Sequence, residues 1–449
     1  ERPIDITNLE KDISSFSQEI GSQILSMMLT MLDDMLRDIV PHDWKNVGTE
    51  KRSVLFECGY IHFKRRVYQD ADGVRHKPLD ELLELEPWQR SSRTLEEMGS
   101  ALAATNTYRK ASTLLSWLVK AAISPSTIGR YLRKTGQRIQ EQEGMALEGE
   151  EQGQIETEVL YAEADGVFIP LQREEKKRAE VKVGIIYTGK QAIGKGRNRC
   201  INKVCITQLG GSNEEWQLKI RDTIYHGYAF DKIRLLVAGG DGAMWVRNSF
   251  EYVGLPKVDL LDRFHVIREI RQTWGKDMDI SSLLHDLFTK GWHVVRGRLL
   301  SNTAKSKGEN KKKKLKAYKY LFNNRDGLLD LDQRGLPVKH FCTLGAAEGN
   351  VDKLVRQRMR GRGFSWSWSG ASAMLAVLPH AQALFQHVFE YHPVSVGESK
   401  KQRIKKTEGT GYQPVSGSLS GLLSHTGQEK WVKYIKAYLN SNLSLIEFF

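Results

Sequence analysis

The chain has 449 residues, with 67 Lys and Arg against 54 Asp and Glu, a formal charge of +13 and a pI near 9.3. At about 150 residues per domain that length gives two to three domains, whose cores fold without disulfides or structural metals. The charge favours anionic partners, nucleic acid first, although a basic surface can also be no more than that. The four cysteines, Cys58, Cys200, Cys205 and Cys342, make no CxxC pair and no zinc-finger spacing, which fits a reduced, intracellular setting. No apolar run approaches the about 20 residues of a membrane span, and no signal peptide opens the chain. The first residue is Glu1 and not Met, so a preceding piece can be missing.

Residues 17 to 40 carry Ile20, Ile24, Met27, Met28, Met31, Leu32, Met35, Leu36 and Ile39 at helical spacing, closed by Pro41. Its Met-rich stripe is either a self-association seam or ordinary core. Val54 to Tyr68 changes to a period of two and predicts a small hairpin, with a turn at Asp72-Gly73. Its basic run, Lys64-Arg65-Arg66, either touches a phosphate backbone or is a solvated face. Residues 94 to 141 return to helix. Ala111 to Ala122 is one segment, and Ser124-Pro125-Ser126-Thr127 supplies a turn, an N-cap and an early proline. Ile128 to Ile139 follows with Arg130, Arg133, Lys134 and Arg138. A helix, a short turn and a basic helix is the order of a helix-turn-helix that reads a major groove, although many helical hairpins are only structural. Residues 141 to 156 are acidic and contain glycine, as a linker does.

Val159 to Pro170 alternates as a half-buried strand, yet carries Asp165 where Val or Ile is usual. Glu180 to Gly189 and Asn202 to Leu209 predict two more strands with a Gly/Lys/Arg loop between them. A helix capped at Ser212 or Asn213 runs to about His226. Lys232 to Asp241 predicts a fourth strand, 243–253 a helix and Lys257 to His265 a fifth strand. Three strands, helix, strand, helix, strand gives a mixed sheet with helices on its faces, the element order of an RNase H-like α/β domain.

Residues 266 to 340 read as helical and basic, with Asn302–Lys316 as a flexible loop whose lysines can follow a phosphate backbone. Glu348 opens a helix with Val351, Leu354, Val355 and Met359 on one face and Arg356, Arg358, Arg360 and Arg362 crowding its end. The segment RGFSWSWSGASAML follows, then a helix to about His387. Trp366 and Trp368 can stack on a base displaced near the site, or simply pack. Residues 395 to 417 are rich in Gly, Ser and Lys, and an amphipathic helix over Glu429 to Leu439 ends the chain.

Asp165, Asp241 and Glu348 each have a local reading: a bulge, a turn and a helix N-terminal charge. Taken together they are three carboxylates on two strands and a helix start. Such a group repels itself without a cation. Hard oxygens suit Mg²⁺ or Mn²⁺ over Zn²⁺, and two such ions can activate water and stabilise a leaving oxygen on phosphorus. The expected reaction is phosphodiester cleavage.

The segments AEADGVFIPLQ, GGDGAMWVRN, LLDRFHVIREI and LGAAEGNVDKLVRQRM resemble ISLre-type insertion-sequence transposases, which are DDE transposases distantly similar to the Mutator-like group. FECGYIHFKRRVY, KPLDELLEL and the Tyr108–Ile139 helices extend the resemblance to roughly residues 50 to 380. It implies Asp165, Asp241 and Glu348 as the catalytic, metal-holding acids. The second and third acids stand 107 positions apart, a span that then contains a helical insertion. LLDRFHV resembles the DxxH element of Mutator-like enzymes, so Asp262 and His265 are expected to support the site or contact DNA, or else to end a strand. Trp366 and Trp368 depart from the more polar residues expected there.

The expected organisation is a helical segment over 1–50, a DNA-binding α+β region over 51–150, and an RNase H-like catalytic domain in two parts, 151–265 and 341–395. A helical insertion over 266–340 separates those parts, and a tail with a helix occupies 396–449. The expected partner is double-stranded DNA, as terminal inverted repeats and target, engaged by Arg130, Arg133, Lys134, Arg138, Arg356, Arg358, Trp366 and Trp368. A homodimer or higher oligomer with no membrane association is expected, in the cytoplasm on the nucleoid. The rivals are an RNase H-like nuclease or resolvase, and a domesticated DNA-binding protein without catalysis.

Overall fold

A computed structural model describes residues 6–389, apart from 150, 196, 330, 337–340 and 362. Arg362, the Gly/Ser/Lys-rich segment and the expected C-terminal helix lie outside the described residues.

The first helix, α1 (Ile6–Leu36), begins earlier and stops sooner than its periodicity predicts. It lies on a hairpin of β1 (Lys45–Phe56) and β2 (Gly59–Gln69), to which β3 (Arg75–His76) adds a short third strand. Leu29 and Leu36 pack there on Val54, Ile61, Phe63 and Leu79, the last from α2 (Pro78–Leu82). In the basic run of β2 Lys64 is exposed, whereas the two arginines meet protein. Arg66 pairs with Asp33 at 2.6 Å and Asp34 at 2.7 Å on α1, and Arg65 is buried 2.7 Å from Asp80.

Three helices follow: α3 (Arg93–Thr105), α4 (Tyr108–Val119) and α5 (Pro125–Glu148). Ser92, Thr107 and Ser124 cap them, each side-chain oxygen accepting from a backbone N–H three residues on. Pro125 takes the first turn, where its missing N–H costs nothing. Half of the expected linker is the end of α5.

The main sheet contains β4 (Val159–Pro170), β5 (Arg178–Tyr187), β8 (Val204–Leu209), β9 (Leu235–Gly240) and β10 (Lys257–Leu261) in the order β10-β9-β4-β5-β8. The meander β4-β5-β8 is antiparallel, and β9 and β10 run parallel to β4. A separate two-stranded ribbon, β6 (Gly189–Gly194) and β7 (Arg197–Ile201), stands where a loop was expected. The sheet is covered on both faces. Leu160, Ala162 and Ala164 meet Trp216 and Ile220 of α6 (Asn213–Gly227) and Val246 of α7 (Met244–Asn248). Tyr161, Val167 and Ile169 face the opposite way, into a core shared with the later helices.

Beyond β10, α8 (Arg263–Trp274), α9 (Ile280–Lys290), α10 (Trp292–Lys305) and α11 (Gly308–Asn323) form a helical insertion with its own core around Trp274, Leu287, Val295 and Leu321. The lysine-rich stretch expected as a loop is the end of α10 and much of α11. Lysine is a good helix former, and Lys314 is buried with its ammonium on Asp277, Asn302 (2.7 Å) and Ser306 (2.9 Å). The chain returns to the sheet through α12 (Ala346–Val351), a π-helical turn over Asp352–Arg356 and α13 (Gln357–Met359). It ends, as described, with α14 (Trp368–Val377) and α15 (Ala381–Phe389). No described helix is long and apolar enough to cross a membrane.

Candidate active site

The register of the two central strands sets the site. In the parallel pair β4–β9, Ala164 lies opposite Gly240. Asp165 and Asp241 are the next residues on each chain, so the two acids leave neighbouring strands side by side, about 4.8 Å apart by the ordinary spacing of a sheet. Asp165 is buried; its Oδ1 accepts from the Gly166 N–H at 2.7 Å, and its Oδ2 is buried with no hydrogen-bond partner. Burial pushes its carboxyl above the ordinary carboxylate range, and the charges of Asp241 and Glu348 push it further. Asp241 is half-buried. Its Oδ1 accepts from the Ala243 N–H at 2.9 Å, and the Tyr320 hydroxyl of α11 donates to its carbonyl at 2.7 Å.

Glu348 arrives in the first turn of α12, not as its first residue. A residue the sequence reading passed over delivers it. Glu163 is buried on β4, two positions before Asp165 and therefore on the same face. Its Oε2 accepts from the N–H groups of Gly345 (2.9 Å) and Ala347 (3.0 Å), and its Oε1 from that of Ala346 (2.9 Å) and the Tyr187 hydroxyl (2.7 Å). Those backbone groups are the ones a helix start leaves without partners. One carboxylate thus fastens the helix of the third acid to the strand of the first. The signal was present in the run Glu163-Ala164-Asp165, where two acids share one strand face.

Arg356 sits in the π turn and reaches back. Its Nη1 donates to Glu348 at 2.7 Å, and its Nη2 lies 3.8 Å from Asp165 Oδ2. Single π turns in helices are rare and concentrate at functional sites. His265 Nε2 is 3.6 Å from Glu348 and 3.9 Å from Asp262. Asp262 and His265 do not end a strand as the periodicity suggests. Asp262 caps α8, accepting from the Phe264 N–H at 2.8 Å, and His265 lies in the helix's first turn. Burial raises the Asp262 carboxyl, and Glu163 and Glu348 add to the effect.

A hard divalent cation fits this donor set by chemistry: carboxylate oxygens, one of them buried without a partner, and a carboxyl raised by its like-charged neighbours. As the side chains stand, the single positive charge of Arg356 lies between two of the acids, Glu348 and Asp165. Among the described residues no three His, Cys, Asp or Glu side chains are gathered closely enough to hold a metal ion.

Residues 1–400 match the model of an uncharacterised protein family, UPF0236. The chain belongs to that family. A UPF0236 protein in the vanSb 3′ region of Streptococcus gallolyticus is 29% identical over 83% of this chain and 82% of that one. A second UPF0236 protein, from Caldanaerobacter subterraneus subsp. tengcongensis, is 22% identical over 72% of this chain and 68% of its own length. Among solved structures, the Drosophila P element transposase strand transfer complex covers 66% of this chain and 80% of that one at 11% identity. Its TM-score is 0.25, and a likeness that loose carries no argument.

The residues of this UPF0236 chain expected to face DNA, apart from Arg356 on Glu348, divide into four groups. Arg130 and Arg133 are exposed on the first turns of α5. Lys134 and Arg138 are engaged within the protein: Lys134 holds Glu86 at 2.6 Å, and Arg138 holds the buried Glu96 at 3.0 Å. Arg358 and Trp366 are buried, which corrects the expectation that both reach DNA. Arg358 donates to the Ala103 carbonyl at 2.7 Å among the rings of Tyr108, Phe364 and Trp366. Trp366 donates from Nε1 to the Met359 carbonyl at 3.0 Å. Trp368 is half-exposed, its ring over the backbone of Gly210.

Proposed function

We propose that this chain is a DDE transposase of the ISLre type. In that reading the mixed sheet and its helices are an RNase H-like catalytic domain, and Asp165, Asp241 and Glu348 are its catalytic acids. The observation that carries the reading is the register that sets Asp165 beside Asp241, with Glu163 fastening the helix of Glu348 to the same strand. Three carboxylates from two strands and a returning helix, in a strongly basic chain, suit phosphodiester chemistry on DNA.

The three acids would hold two Mg²⁺ or Mn²⁺ ions. When bound, such ions activate water against a phosphodiester and stabilise the leaving oxygen. Arg356 releases Glu348 to open the acids and then faces the phosphate. His265, close to both Glu348 and Asp262, orients the Glu348 carboxylate. Arg130 and Arg133 contact the duplex from α5, and Trp368 offers its exposed edge to a displaced base. Element ends are cut, and the freed 3′-hydroxyl attacks target DNA.

The name of the Caldanaerobacter relative joins eleven locus designations of one genome. A coding sequence repeated in that way is what a mobile element leaves behind, and it favours transposition over a domesticated DNA-binding role. The test uses labelled duplexes taken from the DNA flanking the gene, with Mg²⁺ or Mn²⁺. Asp165→Asn, Asp241→Asn and Glu348→Gln should each lose orders of magnitude in cleavage while duplex binding persists, because the ions contribute several kcal/mol to the transition state. Glu251→Gln should cleave normally. Wild-type rates in Asp165→Asn overturn the assignment.

A further inference from the structure

Of the ribbon β6–β7, Cys200 alone among the described residues packs against a core of the sheet. The ribbon's strands pair only with each other among the described residues. From Gln191 to Lys203 the described residues are exposed, except the half-buried Cys200. A two-stranded ribbon standing alone is marginal in water, so its persistence has to be explained by what it touches. At its base it is tied to the acidic site. Lys190 Nζ donates to the Thr343 carbonyl at 2.5 Å, and Lys203 Nζ to Asn350 Oδ1 at 3.0 Å, on the helix of Glu348.

Charge along the ribbon has one sign. The sequence from Thr188 to Lys203 holds Lys190, Lys195, Arg197, Arg199 and Lys203 and not one carboxylate. Lysines and arginines elsewhere in the fold commonly sit on a neighbouring acid, as Arg66 and Lys134 do. Near the tip the register slips, with Ala192 opposite Asn198 and Gly194 opposite Arg197, so Ile193 is the extra residue of a bulge. A bulge re-aims a side chain, and Ile193 is 61% exposed among these cations.

We infer that the β6–β7 ribbon is a duplex-DNA clamp anchored on the helix of Glu348, with Lys195, Arg197 and Arg199 on phosphates and Ile193 packed into the groove. The clamp rests on the reading of this chain as a DNA enzyme. A polyanion explains both the unpaired cations and the ribbon's exposure. A β-ribbon fits the major groove of B-DNA, and strands are established readers of either groove. The apolar tip favours a groove over the bare backbone of a single strand. The two lysine anchors join the ribbon to the segment that leads into and forms the helix of Glu348, while the ribbon itself leaves the sheet where Tyr187 lies opposite Tyr161, at the end away from Asp165 and Asp241.

The test is equilibrium binding of the full chain to a fluorescent duplex over a series of salt concentrations, without divalent ions. The variant Lys195→Ala/Arg197→Ala/Arg199→Ala should bind at least about tenfold more weakly, and its slope of log affinity on log salt should fall by about 0.9 per lost phosphate contact. Ile193→Ala should weaken binding with the slope unchanged, since no counterion is released through it. Arg221→Ala/Lys232→Ala/Arg234→Ala removes the same charge from residues that already face Asp222, Asp231 and Glu158. It should lose much less. Equal losses in the two triple variants, or the same loss on a single strand as on the duplex, overturn the clamp. A wild-type chain that binds no duplex overturns the transposase reading together with it.

Discussion

Glu163 shows how one side chain can position a site without taking part in its chemistry. It accepts from three consecutive backbone N–H groups and a hydroxyl, a full set of acceptors for a buried carboxylate. Glu163→Gln keeps the shape but turns an amide donor toward those N–H groups. We expect a loss of about 1–3 kcal/mol in denaturant unfolding, the usual cost of buried polar groups left unpaired. A second residue, Glu96, gives a pH signature. Burial raises its carboxyl against the pull of Lys134 and Arg138. The folded chain therefore holds the Glu96 proton more tightly than the unfolded chain. Its contribution to stability falls as pH rises from the ordinary carboxylate value through the raised one. The stability of Glu96→Gln relative to wild type should climb with pH across that window. Melting curves between pH 4 and 7 that show a flat difference would contradict the shift.

At the scale of elements, α5 crosses α14 at a point of backbone contact. A Cβ built on Gly136 would lie 2.8 Å from both Cα and the carbonyl oxygen of Ala373, whereas one on Gly144 of the same helix meets nothing within 4 Å. Gly136→Ala should cost about 1–3 kcal/mol through overpacking. Gly144→Ala should gain about 0.5–1 kcal/mol from helix propensity, and thermal melts of the pair separate the two effects. Elements with strong local signals were legible in the sequence: the five strands of the mixed sheet, the capped start of α5 and the acids on β4 and after β9. What escaped was decided by partners far along the chain. The lysine-rich stretch forms helix because Asp277 and Asn302 bury Lys314, and the start of β1 is held by its pairing with β2 despite its charged sequence. The ribbon has no hydrophobic alternation to betray it. Arg358 reads as a surface residue because nothing local reveals that the Ala103 carbonyl accepts from it.

For the molecule as a whole, a cation held by the folded chain and not by the unfolded one must raise its stability. The gain is about 2.7 kcal/mol at a hundredfold excess over the dissociation constant. Mn²⁺ titrated against the wild-type melting temperature should give a saturating rise, and Asp165→Asn should abolish it. The same rise in Asp165→Asn would place the ion elsewhere. The long return of the chain to β4 also bears on how the protein is made. Glu163 finds its last partner at Ala347, 184 residues later. At the about 5–20 residues per second of synthesis, that is roughly 10–40 s during which the strand of the first acid exists without the helix of the third. A nascent chain can pair β4 with β5 at once, yet Asp165 and Asp241 stay without Glu348 until the whole helical insertion has been translated and Gly345 to Ala347 have closed over Glu163.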